Sequence, residues 1–469
     1  MTAAVETAGL LESVERLAER AAAGPRRRLI SATVEVDAFD PCAAAFASRR
    51  ADDRWFCWEE PDRDGFAIGT VGSAHEIVSR GAGRVADLVA DSSAVMRERL
   101  AEEPQDLPEG AGPLWVGGMS FSADASDAGA WSSLPPALLT LPELILTRSG
   151  RRHLITACAV AGPASDPARI RRSVAGRLAA LREDPLPPLD PSPGGEITVA
   201  SARPPAAYEA AVAGAVERIR TGDVQKLVLA REVTVTAPGA HQPGALFGAL
   251  REVFGSCFVF CAGTPEAAFV GASPELLVRR SGAQAATVAL AGSARRSADP
   301  AVDDHLGEQL LHSAKNRSEH EIVARRIARR LAPLSVWVEG APDPVVIKVA
   351  NIQHLATPIR AQLTEARSAL ALAGLLHPTP AVGPEPAGAA GERLIRELEG
   401  LERGWYAGPV GWMDAAEDGE FCVALRSALL RDRTAHLYAG AGIVAGSDPA
   451  AELAETEIKL DALLPLLAG

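Results

Sequence analysis

A chain of 469 residues is too long for one simple core and suggests about two to four domain-sized units, unless it folds as one large α+β body. Its 47 basic and 60 acidic residues leave a net charge of −13, which argues against non-specific binding to nucleic acid or an anionic membrane. An anionic small molecule is not excluded, because an acidic protein can still hold a basic pocket.

The first 22 or so residues read as a helix with Leu10, Leu11, Val14 and Leu17 on one side. Their mixed charge does not fit a secretory signal, and no apolar run of about 18 residues follows, so nothing is expected to span a membrane. The six cysteines show neither zinc-type pairing nor a disulfide framework. Cys257 and Cys261 share a face of an apolar run and read as buried free thiols. A reducing cytoplasm fits these features. Strand-like runs follow as RLISATVEV, RWFCWE, GFAIGTV, PLWVGGMSF, ELILTR and HLITACAV, with helical pieces AVMRERLAEE and ARIRRSVAGRLAALRE between them. Residues 184–205 are rich in Pro and Ser and read as a linker or surface crossing. They divide an N-terminal α+β half, 1–183, from a second half, 206–469.

The second half opens with a helix over 206–220 and a strand over 224–233. FGSCFVFCAG and EAAFVGASPELLVRRSG read as strands joined by a tight turn. Residues 305–331 read as one helix. Residues 405–413 and 419–430 suggest a hairpin around DAAEDG, with a third strand over 435–444. A last helix runs over 447–464. Helices and antiparallel strands mix without a βαβ rhythm, which predicts an α+β fold.

Four features could carry chemistry. Gly440, Gly442 and Ala445 form a loose G-x-G-x-x-A pattern, but no second parallel strand with an acidic residue follows, so a dinucleotide fold is rejected. Backbone amides beside a helix start capped by Asp448 and Pro449 still suit an anion. In the last helix Glu452, Glu455 and Lys459 share one stripe. Glu455 and Lys459 have the orientation of a surface ion pair, worth a few tenths of a kcal/mol. Leu453, Leu460 and Leu463 flank the stripe, which places it at the edge of a buried face and equally suits one wall of a site. Glu319 heads an apolar helix face; it either closes a capping box with Asn316 or shares a hard cation with another carboxylate. Lys226 lies on an apolar strand face with Val224 and Val228. It either snorkels to water or, if desolvated, serves as a general base. Glu275, after a Ser-Pro turn, is uninformative alone.

Together, the segments KLVLARE, GASPELL, LAGSARR, SAKNRSEHEIV, IQHLATPI, LHPTPAVGP, ERGWYAGPVGW, FCVALRSALL and AGAGIVAGSDPAAELAETEIKL resemble, in order, the chorismate-utilising enzymes. This superfamily includes isochorismate, salicylate, anthranilate and aminodeoxychorismate synthases. The resemblance spans roughly residues 205–465; WFCWEEPDRDGFAIGTVG and WVGGMSF look like the variable N-terminal half of isochorismate synthases. It implies a large fold of antiparallel sheets packed together, helices outside, in two interleaved halves. It also implies that Glu319 and Glu455 bind Mg2+ directly and Glu452 through water, the metal holding the ring carboxylate of chorismate. Tyr406, Arg426, Lys459 and the amides near Gly440 and Gly442 would hold the pyruvyl carboxylate. His354 and Ala381 would also line the substrate site. Lys226 would be the general base that activates water and Glu275 the general acid.

Lys226 goes with water attack, where anthranilate-type enzymes tend to carry Gln. Ala291 stands where aminodeoxychorismate synthases can carry a nucleophilic Lys. Ala381 stands where salicylate synthases and aminating enzymes tend to have Thr or Ser. The resemblance therefore implies an isomerase that makes isochorismate, with a salicylate synthase or a non-catalytic chorismate-binding protein as alternatives. Asn316, where Asp is common, and Gly383-Pro384, where Gly-Gly is usual, depart from the family and bear on the fine shape of the site. A monomer or homodimer is expected, serving menaquinone or siderophore synthesis; the long N-terminal half leans towards menaquinone.

Overall fold

Alternation along the strand Trp55–Glu60 shows how the molecule is layered. Phe56 and Trp58 enter one apolar core, while Trp55 and Cys57 enter another. A strand buried on both faces is sandwiched between two layers, and here every residue of the strand is buried. The structure is a computed structural model that describes residues 2–126, 128–190, 194–350 and 352–468, with side chains from residue 7 onward.

Two large sheets account for the layers. The first has twelve strands among the described residues, in the order Thr198–Ser201, Leu227–Thr236, Thr434–Ile443, Ser427–Arg431, Ala268–Ser273, Phe258–Gly263, Trp55–Glu60, Phe66–Val71, Leu144–Ser149, Arg152–Ala161, Arg28–Val36 and Leu100–Glu102. All neighbours are antiparallel except the last pair. The second has ten strands, running from Ser335–Gly340 through Ile352–Leu363, Gln284–Arg295, Leu276–Ser281, Gly419–Val423 and Pro409–Asp414 to Leu114–Met119, Ala137–Leu141 and His75–Ser79; Val345–Lys348 also pairs with Ile352–Leu363. Each sheet is continuous across strands from both ends of the chain. The N-terminal half thus extends both sheets.

The sheets face each other across a core that includes Trp58, Trp115, Phe260, Trp412 and Phe421. The outer face of the twelve-stranded sheet is covered by helices. Leu10, Val14 and Leu17 of Thr2–Ala22, Phe46 of Pro41–Ser48, and Leu246 and Leu250 of Pro243–Val253 bury there. All six cysteines are buried and unpaired with one another. No helix among the described residues is long and apolar enough to cross a membrane.

Several elements differ from expectation for local reasons. The helix expected over 305–331 is two helices, Pro300–His312 and Ala314–Leu331. Ser313 has an extended backbone and its Oγ accepts from the Asn316 amide at 3.4 Å, so Ser313, not Asn316, is the cap. AVMRERLAEE is not wholly helical: the helix Arg84–Arg97 ends and Leu100–Glu102 becomes an edge strand. The proline-rich segment contains the strand Thr198–Ser201; its residues 191–193 lie outside the described residues. Pro41–Ser48 was signalled by Asp40, whose side chain accepts from the Ala43 amide at 3.0 Å, with Pro41 in the first turn. Such a cap contributes about 1 kcal/mol.

Candidate active site

Two strands cross from one sheet to the other, and these crossings build the site. FGSCFVFCAG and EAAFVGAS do pair across the expected turn, but the run through GASPELL then changes sheets: Ala268–Ser273 lies in the twelve-stranded sheet and Leu276–Ser281 in the ten-stranded one. Likewise 419–430 is two strands, Gly419–Val423 and Ser427–Arg431, in different sheets. The crossing residues include Glu275 and Arg426. The crossings are bound together: the Val423 amide donates to the Glu275 carbonyl at 3.0 Å and the Ala272 amide to the Arg426 carbonyl at 3.1 Å. Arg426 has φ +48, a left-handed conformation costing on the order of 1 kcal/mol or more in a non-glycine residue and typical of functional sites.

A cavity with about 590 Å³ of empty space, part of it open to solvent, lies at the crossings. It brings together Glu275, Glu319, His354, Ala381, Tyr406, Arg426, Gly440, Gly442, Glu455 and Lys459. Lys226 lies directly behind this wall, fully buried, with Nζ 2.8 Å from Glu319 Oε1. It does not snorkel to water. Glu452 also stands outside the cavity lining; it is buried and paired with Lys315 Nζ at 2.8 Å. A second cavity of about 570 Å³, beside Tyr208 and Glu399, gathers none of the expected residues.

Burial sets the protonation of the acid. Glu275 is pushed up to about 8, mainly by burial, against the opposing charges of Lys226, Arg426 and Lys459 and the Thr379 hydroxyl. It is therefore a neutral carboxyl at pH 7, able to donate a proton. Thr379 Oγ1 donates to Glu275 Oε1 at 3.5 Å. Tyr406 is raised to about 12 by burial and remains a phenol donor. His354 is lowered to about 3 by burial, with Arg426 and Lys459 adding to it, so its ring is neutral. Its Nδ1 is 3.2 Å from the Gly292 carbonyl and must carry the hydrogen; Nε2 then accepts from Arg426 Nη2 at 3.3 Å. His354 thus aims the Arg426 guanidinium.

The last helix, Pro449–Leu460, contributes Glu455 and Lys459, which do touch: Nζ is 2.7 Å from Glu455 Oε1. Glu455 also accepts from Ser293 Oγ at 2.9 Å, and Lys459 Nζ donates to the Gly440 carbonyl at 2.8 Å. Burial raises the Glu455 carboxyl, but Lys459 and Ser293 outweigh it and bring the group down to about 2. Ser293 reaches Glu455 through a bulge, where pairing with Ile352–Leu363 shifts register between Ala291 and Ser293. The helix N-terminus at Asp448 is not part of the cavity lining. Nor are Gly440 and Gly442 in a turn: both pair within the strand Thr434–Ile443, opposite Ala230 and Val228. Glycine at 442 leaves room for the Glu319 carboxylate as placed, since a Cβ there would lie 2.1 Å from Oε1 and force that side chain to shift.

Glu319 and Glu455 present carboxylate oxygens to one cavity. That donor set suits a small hard cation, since Mg2+ is commonly held by one or two carboxylates with water and substrate oxygens. Among the described residues no three His, Cys, Asp or Glu side chains form a ready-made cage. Ser293 in LAGSARR and Thr379 in LHPTPAVGP carry no local sequence signal of a role. Only the tertiary contact with Glu455 or Glu275 reveals them.

Known proteins share this architecture. Over 97% of its length the chain is 36% identical to the salicylate biosynthesis isochorismate synthase of Pseudomonas aeruginosa, covering 93% of that protein. Isochorismate synthase MenF of Bacillus subtilis is 31% identical, with 94% of each chain covered. The solved structure of the menaquinone-specific isochorismate synthase MenF of Escherichia coli superimposes with a TM-score of 0.78 at 26% identity, covering 98% of this chain and all of that one (100%). The family described as chorismate binding enzyme matches residues 15–468, and the chain belongs to it.

Proposed function

We propose that this protein is a magnesium-dependent isochorismate synthase, which isomerises chorismate by adding water at carbon 2 and expelling the hydroxyl at carbon 4. The observation that carries this reading is a buried carboxyl held neutral, Glu275, in the wall of one cavity with a fully buried lysine, Lys226, behind it. A proton donor and a basic side chain at one site are what a displacement of hydroxyl by water requires.

The residues divide the work. Arg426 and Tyr406 offer directed donors to the pyruvyl carboxylate, with Lys459 adding charge. Glu319 and Glu455 would hold Mg2+, with Glu452 behind through water; the ion would neutralise the ring carboxylate. Lys226 takes a proton from water as its oxygen bonds to carbon 2. The double bonds shift, and Glu275 gives its proton to the hydroxyl leaving carbon 4. Ala381 presents a methyl group to the cavity, which favours release of isochorismate over further elimination of pyruvate. Both full-length relatives, one named for salicylate biosynthesis and one MenF, span most of the chain, so a long N-terminal half does not discriminate between pathways.

The test is incubation of purified protein with chorismate, with and without Mg2+, and separation of products by chromatography. Isochorismate formed only with the metal is the expected result. Salicylate plus pyruvate as sole products would replace the reading with a lyase. Anthranilate formed with ammonia would replace it with an aminating enzyme, and binding without turnover with a non-catalytic binding protein.

A further inference from the structure

The segment 377–386 touches both proposed proton-transfer residues. Thr379 meets Glu275, as described. At the other end, Glu385 exchanges backbone hydrogen bonds with Lys226: the Glu385 amide donates to the Lys226 carbonyl at 2.9 Å, and the Lys226 amide donates back at 3.3 Å. The Gln225 amide adds a third bond to the Glu385 carbonyl at 2.7 Å. The Glu385 side chain is only 7% exposed and lies between two guanidiniums of the helix Ala314–Leu331, Arg326 Nη1 at 2.5 Å and Arg329 Nη2 at 3.3 Å. That same helix carries Glu319, whose carboxylate lies 2.8 Å from Lys226 Nζ.

These contacts close a ring. From the Lys226 main chain it passes to Glu385, through the carboxylate to Arg326, along the helix by two turns to Glu319, and back to Lys226 Nζ. A lysine has four rotatable carbons and wanders unless both ends are fixed. Here both ends are referred to one helix. Pro384 and Pro386 flank Glu385 and restrict its backbone, so its carboxylate is aimed with little freedom. Arg326 is 13% exposed and Arg329 68%, so Arg326 carries the buried half of the clamp.

We infer that Glu385, through its ion pair with Arg326, is a positioning residue that fixes the proposed base Lys226 relative to Glu319 and to the cavity wall at Ala381 and Val382. This rests on the reading of Lys226 as general base. Glu385 does not line the cavity. Its loss should therefore lower turnover and spare binding.

Glu385→Gln keeps the shape and the backbone bridge but removes the charge that Arg326 and Arg329 grip. Misplacement by about 1 Å can cost on the order of a hundredfold in rate, so kcat should fall roughly ten- to a hundredfold while KM for chorismate stays within about twofold. Arg326→Lys, which keeps a cation, should retain more kcat than Arg326→Gln. The double variant Glu385→Gln/Arg326→Gln should lose little beyond either single change, because both break one contact. An unchanged kcat in Glu385→Gln, while wild type makes isochorismate, overturns the inference and leaves the proposed function standing. Equal effects on kcat and KM together with a lowered melting temperature overturn it in favour of a merely structural role. Failure of wild-type protein to convert chorismate overturns both.

Discussion

Replacing Glu275 by Gln separates the chemical role of this residue from the cost of keeping it buried. In the unfolded chain the carboxyl titrates near 4.5; in the folded protein burial moves it to about 8. Between these values the folded state holds a proton that the unfolded state has released, so rising pH favours unfolding. The stability contributed by the neutral carboxyl is fully present below 4.5 and is lost as pH rises through about 8. At about 1.4 kcal/mol per pH unit over that interval, the loss reaches roughly 5 kcal/mol as an upper figure. Gln has the same shape and no charge, so Glu275→Gln should escape it. Urea unfolding of both proteins at pH 5 and pH 9 measures the difference: the variant should match wild type at the lower pH and exceed it by several kcal/mol at the higher. Turnover should meanwhile fall on the order of 10²–10⁴-fold, the usual contribution of a positioned acid. Parallel stability curves across pH, or a variant with near-normal kcat, would refute the assignment.

The cavity wall and the clamp give two more predictions. Gly442→Ala places a methyl 2.1 Å from Glu319 Oε1 and 3.1 Å from Lys226 Cε. It should weaken Mg2+ binding, read by calorimetry, and lower turnover by on the order of a hundredfold, with circular dichroism unchanged because the strand pairing is intact. Normal metal affinity would show that the present position of the Glu319 carboxylate is not what the metal needs. Arg426→Lys keeps the charge but loses the planar fork and its bond to His354, so KM for chorismate should rise roughly ten- to a hundredfold in steady-state assays. An unchanged KM would place the pyruvyl carboxylate elsewhere.

What could be read from the sequence was what local spacing and ordered motifs encode. Arg28–Val36 has the bounds of the run RLISATVEV, because alternation and flanking turns are local properties. The sheet crossings at Glu275 and Arg426 could not be read that way. A strand that changes sheets looks locally like a hairpin or a longer strand, and only the pairing partners distinguish them. The same holds for Lys226. Its apolar surroundings were legible, but its full burial depends on Glu319 and on Glu385, both remote in sequence. Ser293, Thr379 and Glu385 lay inside or beside quoted motifs, yet their partners come from other elements. The fold class followed from the mixture of elements; the site residues followed from the resemblance, and ten of them converge on one cavity.

The last helix illustrates why spacing alone left two readings open. An i, i+4 Glu–Lys pair has the same sequence whether it faces solvent or a cavity. Glu455 and Lys459 do pair at 2.7 Å, but each has a further partner, Ser293 for one and the Gly440 carbonyl for the other. A pair so tethered is not an exposed one worth a few tenths of a kcal/mol. It stands in the wall of the cavity that Glu319, the partner of Lys226, also lines. Under the proposed function, a divalent cation for the carboxylates and a dianionic substrate for Arg426 and Lys459 would exchange internal ion pairs for external ones while conserving charge. The ion pair and the site wall are then one arrangement: the pairing keeps two partly buried carboxylates compensated until substrate and metal supply their own charges, since an uncompensated charge in a partly desolvated site is costly.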